Sequence, residues 1–238
     1  MSTIYREPEL SKGGLFGERY AQICEEIHSH LRPLPEFRSV REVPFDNGLY
    51  FWFEAGEFCS HYNGEPRIVR VGNHPHSQNG LKNRLRNHYS GTKNGSVFRK
   101  SIGGALLRLR DEASACLAPG PGLGHWEKQD SKPCIECAPL EKEVSRILRE
   151  KFFFKCVRID DKALRNFLER VTIRDLSACP NCQASNNWLG RLAYNQDVRR
   201  SGMWNSEFTF GPIAGDDYLS RFADLVSDTL QHHAPATK

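Results

Sequence analysis

The sequence predicts an α+β fold in which a small antiparallel or mixed β-sheet is flanked by helices. Three observations carry that reading. Short runs crowded with aromatic and branched residues, Leu49 to Phe53, Arg67 to Val71 and Phe152 to Ile159, have the make-up of strands. Apolar residues around them recur at helical spacing. The turn-rich Gly56 to Pro66 separates the first two runs by the length of a hairpin connection. With 238 residues, 39% hydrophobic and 26% charged, the chain suits one generous domain or one domain with an elaborated edge.

In chain order, Phe16, Tyr20, Ile23, Ile27 and Leu31 mark a helix that Pro33 and Pro35 stop. The two hairpin strands follow. Gly80 to Tyr89 reads as a short helix with Leu81 and Leu85 inward and Arg84 and His88 on a neighbouring face. After a loop at Ser90 to Gly95, Val97 to Leu109 reads as a basic helix. Residues 111 to 137 break the pattern with Pro119-Gly120-Pro121-Gly122-Leu123-Gly124 and read as an insertion. Leu140, Val144, Ile147 and Leu148 then mark a helix, Phe152 to Ile159 a strand, and Asp161 to Arg174 a helix with an Asp at its start. A loop at Cys179 to Asn187 precedes a closing helix through Leu219, Phe222, Val226 and Leu230. The expected organisation is an N-terminal helical extension (1–44), a central domain (45–190) and a C-terminal extension (191–238).

Charge is concentrated locally. From Pro66 to Arg110 there are ten Lys or Arg residues and no Asp or Glu, while the net charge is only +4. Such a stretch fits a polyanion, and nucleic acid is the expected partner. Lys82, Arg86, Lys93, Arg99 and Lys100 are the candidate contacts. The densest apolar run, Leu49 to Phe53, is far too short to cross a bilayer, so no membrane role is expected. The first residues lack the apolar core of a signal peptide, and a cytoplasmic location is expected. The eight cysteines are then expected as thiols rather than disulfides. Cys134-Ile135-Glu136-Cys137 and Cys179-Pro180-Asn181-Cys182 are two Cys-x-x-Cys units. Together they are expected to form a tetrahedral Zn²⁺ site that stabilises the insertion.

Gly48-Leu49-Tyr50, then Arg70-Val71-Gly72, then Arg84 with His88 four residues on, bring a phenol, an imidazole and guanidiniums toward one phosphate-facing site. Leu168-Glu169-Arg170-Val171 follows on a helix fed by a strand. This ordered set resembles the GIY-YIG endonucleases over roughly residues 45 to 190. The resemblance implies a GIY-YIG-like sheet and hydrolysis of phosphodiester bonds in DNA. It implies Tyr50 as general base, Arg84 as the phosphate-binding cation and His88 as the group that orients Tyr50 or relays its proton. It implies Glu169 as ligand of Mg²⁺ or Mn²⁺, and an asparagine, here Asn187 or Asn186, after the glutamate helix.

The family usually has tyrosine where this chain has Arg70. A guanidinium there can contact phosphate or favour charge on a nearby phenol, but it cannot supply a hydroxyl. Arg86 competes with Arg84, and Glu141 or Glu143 with Glu169. Arg165 and Glu169 also match the spacing of an ordinary surface ion pair. Beside the metal-dependent endonuclease stand two other readings, an inactive nucleic-acid-binding module of the same fold and a zinc-stabilised protein-interaction domain. Cleavage of both strands with one site per chain would call for a homodimer.

Overall fold

Strand β1 (Gly48–Phe58) puts Tyr50 and Trp52 on one face and Leu49, Phe51 and Phe53 on the other, and all five are buried. It is therefore the centre of the sheet. In the computed structural model it pairs antiparallel with β2 (Pro66–Gly72) on one side and with β3 (Phe152–Arg158) on the other. The structure describes residues 15–74, 80–110, 126, 137–211 and 217–233. β1 runs five residues past the apolar run that announces it, and its pairing with β2 shifts register after Trp52 and again after Phe53.

Helices cover both faces. On the Tyr50 face, α2 (Gly80–Ser90), α3 (Val97–Leu109) and α4 (Ala138–Lys151) contribute Leu81, Leu85, Phe98, Ile102, Val144 and Leu148 to one core. On the opposite face, α1 (Leu15–Leu31), α5 (Lys162–Ala178) and α7 (Asp217–His233) build a second core from Ile23, Ile27, Leu168, Val171 and Phe222. The short α6 (Gln196–Ser201) joins the first. The α+β expectation holds, with a purely antiparallel sheet.

Two local devices position the site. Asp161 accepts the Leu164 N–H at 2.6 Å and so fixes where α5 starts after β3. Ser96 accepts the Arg99 N–H at 3.2 Å and does the same for α3. Beyond α6, the segment at Gly202 to Asn205 lies along the outer edge of β2. Trp204 donates its N–H to the Val69 carbonyl (2.7 Å), and the Asn205 amide pairs with both backbone groups of Val71 (3.1 and 2.8 Å). This edge is closed to further strand pairing.

Most of the insertion expected at 111–137, including Cys134, lies outside the described residues. Trp126 is described: it is buried against α3, where a side chain at Gly103 would overlap its indole, and its Nε1 donates to the Lys100 carbonyl. Among the described residues no helix is long and apolar enough to cross a membrane.

Candidate active site

Two glycines of the sequence motifs are explained by close approach. A Cβ on Gly48 would lie 2.3 Å from the Val157 carbonyl oxygen, so only glycine lets β1 and β3 pair there. A Cβ on Gly72 would lie 2.2 Å from the Tyr50 hydroxyl. Gly72 pairs across from Tyr50, whose ring crosses the space a side chain would fill.

The Tyr50 hydroxyl is 2.9 Å from Nε2 of His88, and Nδ1 of that ring is 2.8 Å from the Ser96 Oγ. Tyr50 and His88 are both 0% exposed. Burial, followed by the charges of Arg70, Arg84 and Arg99, holds the His88 pKa well below the usual imidazole value. The ring is neutral. Because both of its partners are hydroxyls, its proton can sit on either nitrogen.

Arg70 stands across from Trp52, two pairs along from the pair that holds Tyr50. Its Nη1 donates to the Trp204 carbonyl at 2.5 Å, and its guanidinium lies 5.1 Å over the Phe98 ring. Its Nε is buried with no hydrogen-bond partner among the described residues. Its pKa is lowered by burial, and the charges it feels are those of Tyr50, Arg84 and Glu169. Arg84 is half-buried and donates to the Gly95 carbonyl at 3.1 Å.

Glu169 comes from the middle of α5. Burial raises its pKa, while the Arg70 charge, hydrogen bonds from the Asn73 backbone and side chain, and the Arg84 charge pull it down. Arg165 does not spend its hydrogen bonds on Glu169. Its Nε donates to Asn73 Oδ1 at 2.9 Å, and its Nη1 to the carbonyls of Ile159 and Asp160. Asn73, just after β2, also gives its amide to Asn166 Oδ1 at 2.6 Å and so ties the end of β2 to Arg165 and Asn166 of α5. The sequence offers no signal for it beyond its place one residue after Gly72.

Tyr50, Arg70, Arg84, His88 and Glu169 therefore come together at one end of the sheet. Asn187 does not join them. It is exposed and lines a separate cavity of about 640 Å³ with Glu54, Ile102, Trp188 and Trp204. The asparagine beside the Arg70 strand is Asn205.

The cations expected to meet nucleic acid divide sharply. Arg86 is exposed, with one arm on Asn83 (2.6 Å), and Lys100 is half-buried. Lys82 is held by Asp46 at 2.9 Å. Lys93 is buried, its backbone N–H on Glu141. Arg99 is 0% exposed and cannot reach a ligand: it pairs with Glu141 at 2.7 Å and donates to the carbonyls of His88, Tyr89 and Glu141. Acids from outside the acid-free stretch reach into it, Glu57 to Arg67, Glu141 to Arg99 and Glu143 to Arg110. These bonds also commit Glu141 and Glu143 away from the Tyr50 cluster.

Of the four cysteines expected to share one Zn²⁺, Cys134 lies outside the described residues. Cys137 packs in the core on the Tyr50 face, whereas Cys179 and Cys182 lie in the core on the opposite face, across the sheet. Among the described residues, Cys179 and Cys182 gather instead with Cys24 and His61, and their ligand atoms all lie within 4.8 Å of one another. A cluster of this make-up can hold a metal ion. Two Cys-x-x-Cys units attract each other on paper, but two lone residues, His61 and Cys24, 118 and 155 positions before Cys179, supply the neighbours.

No curated protein and no solved structure matches the chain. A family model described as the GIY-YIG domain matches residues 17–234, nearly the whole chain and both flanks of the motif-bearing part. GIY-YIG nucleases act on DNA and use divalent metals, and this chain, with Gly48-Leu49-Tyr50 and Arg70-Val71-Gly72 paired on adjacent strands, belongs to the GIY-YIG domain family.

Proposed function

We propose that this chain is a divalent-metal-dependent endonuclease that hydrolyses phosphodiester bonds in DNA. The observation that carries the reading is the convergence of Tyr50, Arg70, Arg84 and Glu169, drawn from both hairpin strands, α2 and α5, with a neutral His88 behind the phenol. Phosphodiester hydrolysis needs a base for water and fixed positive charge for the phosphoryl oxygens.

Glu169 fits the metal the family uses. Its carboxylate is half-buried, carries a desolvation cost and faces the site's cations rather than a salt-bridge partner of its own. A single carboxylate of this kind suits Mg²⁺ or Mn²⁺, which take their remaining ligands from water and phosphate. When bound there, the ion supplies Lewis-acid stabilisation of charge on the phosphate.

The chain's own residues do the rest. Tyr50 takes a proton from the attacking water. With the Ser96 hydroxyl donating to Nδ1, His88 carries its proton on Nε2 and donates it to the phenol oxygen. The ring thus supports negative charge there without gaining charge itself. Arg70 attracts charge on the same oxygen, and Arg84 offers its fork to the phosphate. The thiols of Cys24, Cys59, Cys156, Cys179 and Cys182 favour the cytoplasm, and cleavage of both strands would enlist a second copy of the chain.

One observation favours a second reading, a binding module without turnover: Tyr50 is fully covered and Arg70 is partly committed to the Trp204 carbonyl. Supercoiled plasmid separates the two. The nuclease reading expects nicking with Mg²⁺ or Mn²⁺ that EDTA stops. Binding of the same plasmid with no nicking under either ion would replace it with the second.

A further inference from the structure

Three segments meet in the core behind the sheet. α1 brings Cys24, the turn after β1 brings His61, and the loop that ends α5 brings Cys179 and Cys182. The three cysteines are buried, and His61 is half-buried. A tetrahedron with Zn–S arms of about 2.3 Å has its corners about 3.8 Å apart. The His61 Nε2 is 3.4 Å from the Cys179 Sγ, and all four donor atoms fall within 4.8 Å of one another.

The surroundings are those of metal-bound thiolates. Backbone N–H groups point at sulfur, Ser60 to Cys182 at 3.3 Å and Cys182 to Cys179 at 3.4 Å. Two further groups lie just outside. Cys59 has its Sγ 3.3 Å from that of Cys182. His28 is committed: its Nδ1 donates to the Cys24 carbonyl (2.9 Å) and its Nε2 accepts the Ile68 N–H (3.2 Å), leaving no lone pair for a metal. Its Nδ1 is also 3.6 Å from the Cys24 Sγ, where it supports that sulfur.

We propose that Cys24, His61, Cys179 and Cys182 form a structural Zn²⁺ site that pins the N-terminal helix, the β1–β2 turn and the end of α5 together. Three sulfurs and one imidazole in a closed tetrahedral set are a structural donor set for zinc, not a catalytic one. The ion fastens the hairpin that carries Tyr50 and Arg70 to the helix that carries Glu169. The site does not depend on the nuclease reading, because its test measures metal.

The full chain, purified without chelators, is assayed by elemental analysis. One zinc ion per chain is expected. Cys179→Ser and His61→Ala should lose it, Cys134→Ser and Cys137→Ser should keep it, and Cys59→Ala should keep it with affinity weakened about 10- to 100-fold. If the buried variants fail to fold, cobalt exchanged into the native chain decides. Intense tetrahedral d–d bands with thiolate-to-cobalt charge transfer are expected. Octahedral bands, absence of metal from the native chain, or zinc that leaves with Cys137→Ser or with Cys59→Ala while His61→Ala retains it would overturn the proposal.

Discussion

The start of β1 and the middle of α5 hold a phenol and a carboxylate, joined by Arg70 from β2 and Arg84 from α2, whereas the turn after β1 and the end of α5 hold an imidazole and thiols. The same two elements thus carry two sites, separated along α5 by ten residues, about 15 Å of helix. The first is made of groups that are charged or that bear charge during reaction, and their burial is only partly offset by partners. Arg70 keeps an unpartnered Nε, and Glu169 has no salt bridge of its own among the described residues. Such groups gain by meeting a phosphate and a hard cation. The second is made of thiols, which stay neutral in an apolar core until a metal displaces their protons, and an imidazole, and these soft donors match a soft ion. One region is poised for a substrate, the other for a resident.

The sharpest way to break that division is Glu169→Gln. Nicking should fall roughly 10³-fold, about 4 kcal/mol, because the carboxylate donor is lost. DNA binding and thermal stability should be preserved, since the amide avoids the burial cost of the carboxylate, and zinc content should not change. Gel-based nicking rates and elemental analysis on one preparation check all of this. A variant that still nicks, while Glu141→Gln does not, would move the metal ligand to α4.

Two arginines make the next test, because they look alike in sequence and differ in place, Arg99 buried and Arg84 half-buried. Arg99→Ala should destabilise the fold by about 3–5 kcal/mol in urea, as it strands Glu141 and several carbonyls. Arg84→Ala should leave stability within about 1 kcal/mol but slow nicking about 10²-fold. If Arg84→Ala unfolds the chain and Arg99→Ala only slows it, the roles assigned to the two are reversed.

How much of this was legible can be read from the same residues. The strands and helices follow from period and turn chemistry, and the order Tyr50, Arg70, Arg84, His88, Glu169 marks the proposed site because local patterns carry it. What the sequence conceals is pairing at a distance. The acid-free stretch reads as an open cationic surface only until Glu57, Glu141 and Glu143 arrive from outside it. Cys24 and His61 are single residues with no spacing signature, so nothing local ties them to Cys179. Asn205 is recognisable only once its segment lies along β2.

That internal pairing also weakens the salt dependence expected of DNA binding. Ten cations suggest many phosphate contacts, but few remain outward-facing. With about three phosphates neutralised, affinity should fall roughly 40-fold between about 50 and 200 mM salt. Fluorescence anisotropy with a labelled duplex measures it. A loss of several hundred-fold would mean that cations outside this stretch join the interface.

The smallest expected effect is in pH, and it isolates the neutral ring behind Tyr50. The folded state holds the His88 pKa well below 6.5, through burial first and the guanidiniums of Arg70, Arg84 and Arg99 next. The unfolded ring takes its proton near pH 6.5. Below that pH the unfolded state binds more protons, so stability is full above about pH 6.5 and falls as the solution is acidified. The loss is at most about 1.4 kcal/mol per pH unit for each such ring. His28, buried and depressed for the same leading reason, adds its own share. Glu54 and Glu169 work the other way. Their folded carboxyls hold protons more tightly than ordinary ones, so they return some stability as the pH approaches the carboxylate range. Ring resonances of His88 should stay in the neutral position well below the ordinary imidazole pKa, while urea midpoints decline from about pH 6.5 downward. A His88 ring that titrates near 6.5 would mean that neither its burial nor the three guanidiniums depress it, and the phenol would then lose its uncharged partner.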